Sequence, residues 1–383
     1  MVYRVIGLMS GSSLDGLDIA YVHLHETSGK WTFEIINAAC YPYNEEWKQK
    51  LQSATSLSAL DYNLLHTAYG NYLGKQVNHF INENNLHYQV QLIASHGHTT
   101  FHVPEKKMTA QLGDGAAIAA ITNINVVNDL RAMDIALGGQ GAPIVPIGEK
   151  LLFSEYDLFL NLGGIANISF KKDNEFIGFD ICAANRILNM LANEVNKDFD
   201  LNGELASHGN INNELLIKLN ALDYYKKPFP KSLANNFGTE TVYPLIQDSR
   251  CGIEDALRTY VEHICIQIRK TVDSLQMTVD RKNIKEDSDK QTENRQLSSV
   301  NRQLLTTGGG ALNIFLINEL KNKLKEINID VIVPDENIIQ YKEALIMALI
   351  GILRWREENN VLASVTGASR NSIGGAVWIG QQA

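Results

Sequence analysis

The chain opens on Tyr3-Arg4-Val5-Ile6-Gly7-Leu8-Met9, then Ser10-Gly11-Ser12-Ser13-Leu14-Asp15-Gly16, then Leu17-Asp18-Ile19-Ala20-Tyr21-Val22-His23-Leu24. The first and third runs are rich in β-branched and apolar residues, which suit strands, while the middle run gathers the Ser, Gly and Asp that suit a turn. Strands over 3–9 and 17–24 are therefore expected around a turn at 10–16. A Ser28-Gly29 turn and a further strand over 31–39 complete an antiparallel meander.

Working outward, helical patterns cover 57–84, a strand over 89–94 ends in Ser95-His96-Gly97-His98, a helix covers 115–122, and a strand follows at 124–127. The same order returns near residue 157: strand 157–162, turn Gly163-Gly164, strand 165–170, turn Lys172-Asp173-Asn174, strand 175–179, and a helix from Asn185. The repeat is one of pattern and not of residues, and it predicts duplicated α/β domains facing each other. The expected division is 1–130 and 131–383, with the option that the last helix returns to the first domain. A helix over 253–275 leads to the charged, aperiodic stretch 280–302, which reads as a solvated insertion. Strand 303–307, Gly308-Gly309-Gly310, helix 311–325, strand 330–333 and an apolar helix over 343–357 finish the chain.

Length and composition bound the function. At about 150 residues per domain, 383 residues suit two domains, and 45% apolar with 20% charged residues supply large cores. A net charge of −9 argues against a protein that coats nucleic acid or an anionic membrane, since either needs a basic face. Cys40, Cys182, Cys251 and Cys265 form no CxxC pair, so neither a zinc ribbon nor a disulfide framework is indicated. The opening strand lacks the apolar core of a secretory signal. The longest apolar run, 344–353, falls short of the roughly 20 residues that cross a bilayer. A cytoplasmic protein is expected.

Glycines cluster where strands end, and glycine lets backbone N–H groups approach an anion. The P-loop, Rossmann and protein-kinase signatures are missing from the sequence. What remains is a hairpin-type phosphate loop from Ser10 to Asp18, in which Ser12 and Ser13 can donate to phosphate oxygens and Asp15 or Asp18 can hold Mg²⁺ through water; ordinary turn chemistry is the alternative. His96, His98 and His102 have metal-like spacing, with substrate contacts or strand capping as competing uses. Asp129, Arg131 and Asp134 follow a strand end, where Arg131 either clamps an anion or sits in a structural ion pair. Asp180 precedes a helix as a general base or a cap, and Glu343 carries the same ambiguity.

Taken together, Gly7-Leu8-Met9-Ser10-Gly11-Ser12-Ser13-Leu14-Asp15-Gly16-Leu17-Asp18, Ser95-His96-Gly97-His98-Thr99, Gly138-Gly139-Gln140-Gly141-Ala142-Pro143, Asn161-Leu162-Gly163-Gly164-Ile165-Ala166-Asn167-Ile168, Gly308-Gly309-Gly310-Ala311-Leu312-Asn313 and Val365-Thr366-Gly367-Ala368 closely resemble the anhydro-N-acetylmuramic acid kinases. The resemblance runs in order from residue 7 to 368. It implies an α/β fold of two actin-like (RNase H-like) ATPase domains flanking a central cleft. It also implies an ATP- and Mg²⁺-dependent enzyme that opens 1,6-anhydro-N-acetylmuramic acid with water and phosphorylates O6 to give N-acetylmuramic acid 6-phosphate in cell-wall recycling. By the same resemblance Gly11, Ser12, Ser13, Leu14, Asp15, Gly16, Leu17 and Asp18 bind the ATP phosphates, and Gly308, Gly309, Gly310 and Asn313 lie by the nucleoside. Arg131 and Glu343 contact the sugar, and Asp180 is the catalytic aspartate; His96 and His98 are taken as substrate contacts. A small-molecule amino sugar is the partner, with a homodimer as the assembly that members of the family often form.

The pattern departs at Asp180-Ile181-Cys182-Ala183-Ala184-Asn185, where the family usually has Asp-Thr-Gly-Pro-Gly-Asn, so both glycines of a phosphate-facing turn are replaced. It departs again over 231–240, where only the opening Lys231-Ser232 of a Lys-Ser-Thr-Gly-Arg-Glu pattern is kept, and at His98, where Gln is usual. Two other readings stand beside the kinase: a nucleotide- or sugar-binding homologue that has lost catalysis, and a metal-dependent hydrolase using His96, His98 and His102.

Overall fold

The opening alternation becomes β1 (Val2–Ser10), β2 (Gly16–Thr27) and β3 (Lys30–Pro42) in a computed structural model. The structure describes residues 1–380 except 12–13, 173–174, 230, 235 and 287–301. The remaining strands are β4 (Leu92–Ser95), β5 (His98–Val103), β6 (Met108–Leu112), β7 (Asn125–Asn128), β8 (Leu158–Leu162), β9 (Ile165–Lys172), β10 (Glu175–Ala183), β11 (Arg302–Thr307), β12 (Ile329–Ile332) and β13 (Ala376–Trp378).

The chain divides into two compact units, Met1–Ser154 with Tyr341–Ala383, and Glu155–Gln340. The first boundary lies after Ser154 rather than after residue 130. The helix Pro146–Leu152 explains the difference, because its Glu149 forms a buried ion pair with Lys342 at 3.1 Å and Phe153 packs on Phe33 with ring centroids 5.2 Å apart. The chain returns to the first unit at Tyr341 and brings more than a helix, since β13 adds an antiparallel strand to β7.

In the first unit the strand order is β13-β7-β4-β1-β2-β3. The β1–β2–β3 meander is antiparallel, whereas β4 runs parallel to β1 and β7 parallel to β4. The second unit orders its strands β10-β9-β8-β11-β12, again an antiparallel meander followed by parallel strands on the side of its first member. Apart from the added β13, the order and direction of the strands match in the two sheets, and this is the repeat that the sequence pattern implied.

Each unit has its own core. Ile6, Leu8, Leu17, Ile19 and Tyr21 from alternating strand positions meet Tyr69, Leu73, Val77 and Phe80 of the helix Ala59–Glu83. These helix residues recur at the spacing that lines one helical face. The helix Glu336–Trp355 is apolar nearly all round from Ala344 onward, and its backbone comes so close to Gly7 that any side chain there would collide with the Ala344 carbonyl. In the second unit Leu158, Leu160 and Leu162 pack with Leu257, Val261, Ile264 and Ile268 of the long helix Ile253–Glu286.

Three local expectations change. That long helix continues past residue 275 to Glu286, and the remainder of the expected 280–302 insertion up to residue 301 lies outside the described residues. The apolar helix expected over 343–357 begins at Glu336 and ends at Trp355. Residues 98–112 form a separate β5–β6 hairpin that the sequence reading passed over, its strands interrupted by a bulge between Thr99 and Phe101.

Candidate active site

In the first unit the turn between β1 and β2 carries the expected phosphate loop. Ser12 and Ser13 lie outside the described residues. Leu14 adopts φ 60°, and its N–H donates to the Gly11 carbonyl at 3.4 Å, closing the turn. Asp15 is exposed and Asp18 half-buried. Burial raises the Asp18 carboxyl pKa, with the Asp15 charge adding to the rise and a hydrogen bond from Cys40 opposing it. The Cys40 thiol is pushed up to about 12, by burial first and then by Asp18. Leu17 does not face a ligand: its side chain is fully buried in the core.

Behind the turn, Ser10 is held by a buried hydroxyl network. Tyr43 Oη donates to Ser10 Oγ at 2.8 Å and lies 2.6 Å from Tyr69 Oη, and His98 Nδ1 is 3.0 Å from Ser10 Oγ. His98 is thus committed to the strand bearing the loop. His96 is buried, its Nδ1 sits 2.9 Å from the Gly97 carbonyl, and burial followed by the Arg131 charge brings its pKa down to about 4. His102 is exposed and turns its Nδ1 to Thr109 Oγ1 at 3.3 Å. These three histidines do not gather as ligands, since the metal-capable group among the described residues is formed by other side chains. The hydrolase reading loses its donor set.

Arg131 is locked and largely buried. Its Nε–H donates to the Gly141 carbonyl at 2.6 Å and its Nη1 to Thr99 Oγ1 at 3.0 Å. The Gly138-Gly139-Gln140-Gly141 segment is wrapped on Asp134, whose carboxylate accepts from the Gly141 N–H at 2.7 Å and from Thr366 Oγ1 at 2.7 Å. Asp134 is therefore a structural anchor that joins two of the motifs, and it leaves Arg131 on a fixed backbone. Glu343 follows the buried Lys342, and burial raises its pKa while Lys342 opposes the rise.

In the second unit Asp180 sits where β10 carries a bulge: it pairs with Asn167, while Cys182 pairs with the next residue, Ala166. The extra residue, Ile181, reorients the strand at that point, a common device beside reactive groups. Both contacts of the Asp180 carboxylate fall on Oδ2, from the Leu233 N–H at 2.8 Å and Ser232 Oγ at 3.3 Å. Oδ1 has no partner among the described residues. The backbone is fixed as well: the Asp180 N–H donates to the Lys231 carbonyl at 3.0 Å, and Tyr224 Oη donates to the Asp180 carbonyl at 2.7 Å. Burial raises the Asp180 pKa, and the two hydrogen bonds restrain the rise. Asp180 does not act as the helix cap; Ala184 occupies the residue before the helix Asn185–Asn193.

Replacing the two glycines after Asp180 costs the fold little. Neither Cys182 nor Ala184 adopts a left-handed φ, and both side chains are fully buried in the core instead of lining the turn. The turn is completed by N–H groups: Ala184 donates to Gly164 at 2.8 Å and Asn185 to Gly163 at 3.1 Å. Gly308 has φ +81°, and a Cβ there would stand 2.5 Å from Asn161 Oδ1, so this loop seats tightly on the end of β8. Asn313 spends its side chain as the cap of the helix Ile314–Lys325, accepting from the Leu316 N–H at 3.0 Å. Sequence reasoning missed the Leu233 amide and Ser232 as partners of Asp180; the retained Lys231-Ser232 pair was the available signal.

An antiparallel meander flanked by parallel strands, present in both units with a glycine-containing turn after the first strand, is the actin-like, RNase H-like class of α/β fold. The family model described as anhydro-N-acetylmuramic acid kinase matches residues 3–380. Relatives bearing that name include one from Aliivibrio fischeri, 32% identical over 98% of this chain and 99% of its own, and one from Coxiella burnetii, 32% identical over 99% and 98%. The chain belongs to the anhydro-N-acetylmuramic acid kinase family. Among solved structures it is similar to an activator of 2-hydroxyisocaproyl-CoA dehydratase from Clostridium difficile with bound ADPNP, at a TM-score of 0.40 and 16% identity over 92% of this chain and 96% of that one. It is also similar to a ROK family glucokinase from Streptomyces griseus, at 0.39 and 11% over 91% and 99%. Among the described residues no helix is long and apolar enough to cross a membrane.

Proposed function

We propose that the chain is an ATP-dependent kinase that opens 1,6-anhydro-N-acetylmuramic acid with water and phosphorylates O6, with Asp180 as general base. The observation that carries this reading is the Asp180 carboxylate, fixed through Oδ2 and, among the described residues, open at Oδ1, on a bulged strand in a chain of this family. Burial makes it a stronger base than an ordinary aspartate.

In the reaction, Asp180 Oδ1 orients a water and takes its proton as the water oxygen bonds to C1. The C1–O6 bond breaks, and its electron pair stays on O6. O6 then bonds to the γ-phosphorus as the bond to the β-phosphate oxygen breaks, giving the 6-phosphate and ADP. Because the leaving oxygen is also the nucleophile, no second base need ionise O6.

Arg131, locked by Gly141 and Thr99, presents a fixed cation to an anionic group of the sugar. Glu343 is the second sugar contact in this reading. Gly11, Leu14, Asp15, Gly16 and Asp18 hold the phosphate region, and Gly308, Gly309 and Gly310 face the nucleoside. Asp15 and Asp18 fit a hard divalent cation: both offer oxygen, and a positive charge relieves the Asp15 repulsion that adds to the burial-driven rise of the Asp18 pKa. Mg²⁺ bound there through water would neutralise polyphosphate charge. The test is incubation of the purified chain with ATP, Mg²⁺ and the anhydro sugar: ADP and a sugar 6-phosphate should appear in equal amounts, and a folded sample that makes neither refutes the reading.

A further inference from the structure

At the far end of β2 from the phosphate loop, three side chains converge that the kinase reaction does not use. His23 and His25 alternate onto one face of β2, and Glu34 of β3 lies directly across from His23. A bulge makes this pairing: Tyr21 faces Asn37 while Val22 faces Ile35, so Ile36 is the extra residue. Without it His23 would face Ile35. One ligand atom from each of His23, His25 and Glu34 lies within 4.8 Å of the others, with the histidines half-buried and the glutamate exposed.

We propose that His23, His25 and Glu34 form a binding site for a borderline divalent transition metal of the zinc class, linking the edge strand β3 to β2. A tetrahedral ion holds nitrogen and oxygen ligands at about 2.0–2.2 Å, which puts them roughly 3.5 Å apart. Closing from separations of at most 4.8 Å takes little more than an ångström of side-chain adjustment in groups that solvent already reaches. His23 Nε2 lies 3.2 Å from Tyr21 Oη, and in the tautomer whose Nε2–H donates to that oxygen the other ring nitrogen is free to bind metal. Solvent supplies the fourth position. Arg4, paired across β1 with His23, is the opposing charge, and the Glu34 carboxylate offsets it. Two imidazoles and one carboxylate favour zinc-like ions over Mg²⁺. The site is separate from the phosphate loop: at about 3.3 Å per residue His23 is roughly 17 Å beyond Asp18, on the opposite face of the strand.

The test is calorimetric titration of Zn²⁺ into the full chain, without nucleotide and in excess Mg²⁺, with Co²⁺ absorption as a second readout. One equivalent should bind, and Co²⁺ should show d–d bands of a nitrogen- and oxygen-ligated centre. His23→Gln and His25→Gln should each weaken binding by at least about tenfold. Glu34→Gln, an exposed change with little risk to folding, should weaken it too, while the exposed His87→Gln should bind as the unaltered chain does. Saturating Zn²⁺ should raise the melting temperature of the unaltered chain and not of His25→Gln. Absence of binding, displacement by Mg²⁺, or binding that survives both histidine changes would overturn the site.

Discussion

Replacing Asp180 with Asn removes a proton acceptor while nearly preserving a shape. The two bonds that fix the carboxylate, from the Leu233 N–H and Ser232 Oγ, both end on Oδ2, and an asparagine oxygen at that place accepts both in the same geometry. The amide then occupies the Oδ1 position, where no described side chain must be displaced. Exchanging charge-assisted bonds for neutral ones costs about 1 kcal/mol. In a unit of this size that lowers the melting temperature by about 2–4 °C. The chemistry loses far more, because a positioned general base contributes about 10²–10⁴ in rate, or roughly 3–5 kcal/mol of barrier. ADP release at saturating ATP and sugar, beside calorimetric melting, separates the two effects. A variant that keeps its rate to within about threefold, or that fails to fold, would refute the assignment of Asp180 as a base held through Oδ2.

Further outcomes follow from the same geometry. The raised Asp180 pKa places the acid limb of kcat/KM above the ordinary aspartate value of 3.8: rate falls as pH drops through the raised pKa because the base becomes protonated, and a limb at or below 3.8 would contradict the burial argument. Arg131→Lys loses the fork that reaches both the Gly141 carbonyl and Thr99, so KM for the sugar should rise by about tenfold or more with nucleotide affinity unchanged, as measured by steady-state kinetics and calorimetry. Gly308→Ala forces a side chain into a left-handed φ and against Asn161. It should lower stability by about 1–3 kcal/mol in a denaturant titration and weaken nucleotide binding, whereas Gly309→Ala, whose Cβ would meet Asn185 Nδ2 at an ordinary 3.8 Å, should be milder.

The alternation in the first 40 residues is read directly because strand side chains repeat every second residue and the turns are punctuated by Ser and Gly. For the same reason β8 to β10 were legible. Apart from the β5–β6 hairpin, what escaped depends on residues far apart in the chain. Β13 has three residues and pairs with β7 across some 250 positions, too little local signal to announce a strand. The boundary after Ser154 is set by Lys342 gripping Glu149, a contact no local pattern encodes. Asp180 was legible as a carboxylate at a strand end, but the bulge that reorients it and the amide of Leu233 that fixes it come from register and from a segment where the family pattern lapses. The altered glycines illustrate the converse: read alone, Cys182 and Ala184 crowd a phosphate turn, yet the sheet turns both into the core. The pairing of Glu34 with His23 is not readable in the sequence because a single extra residue in β3 is what sets it.

The central claim is that one turnover both adds water at C1 and transfers phosphate to O6. Turnover in ¹⁸O-labelled water, quenched early and read by mass spectrometry of the product, tests both halves at once. The account predicts one ¹⁸O atom on the anomeric carbon and none in the phosphoryl group, with one ADP formed per labelled sugar. Label in the phosphate, or ADP released without sugar opening, would contradict it.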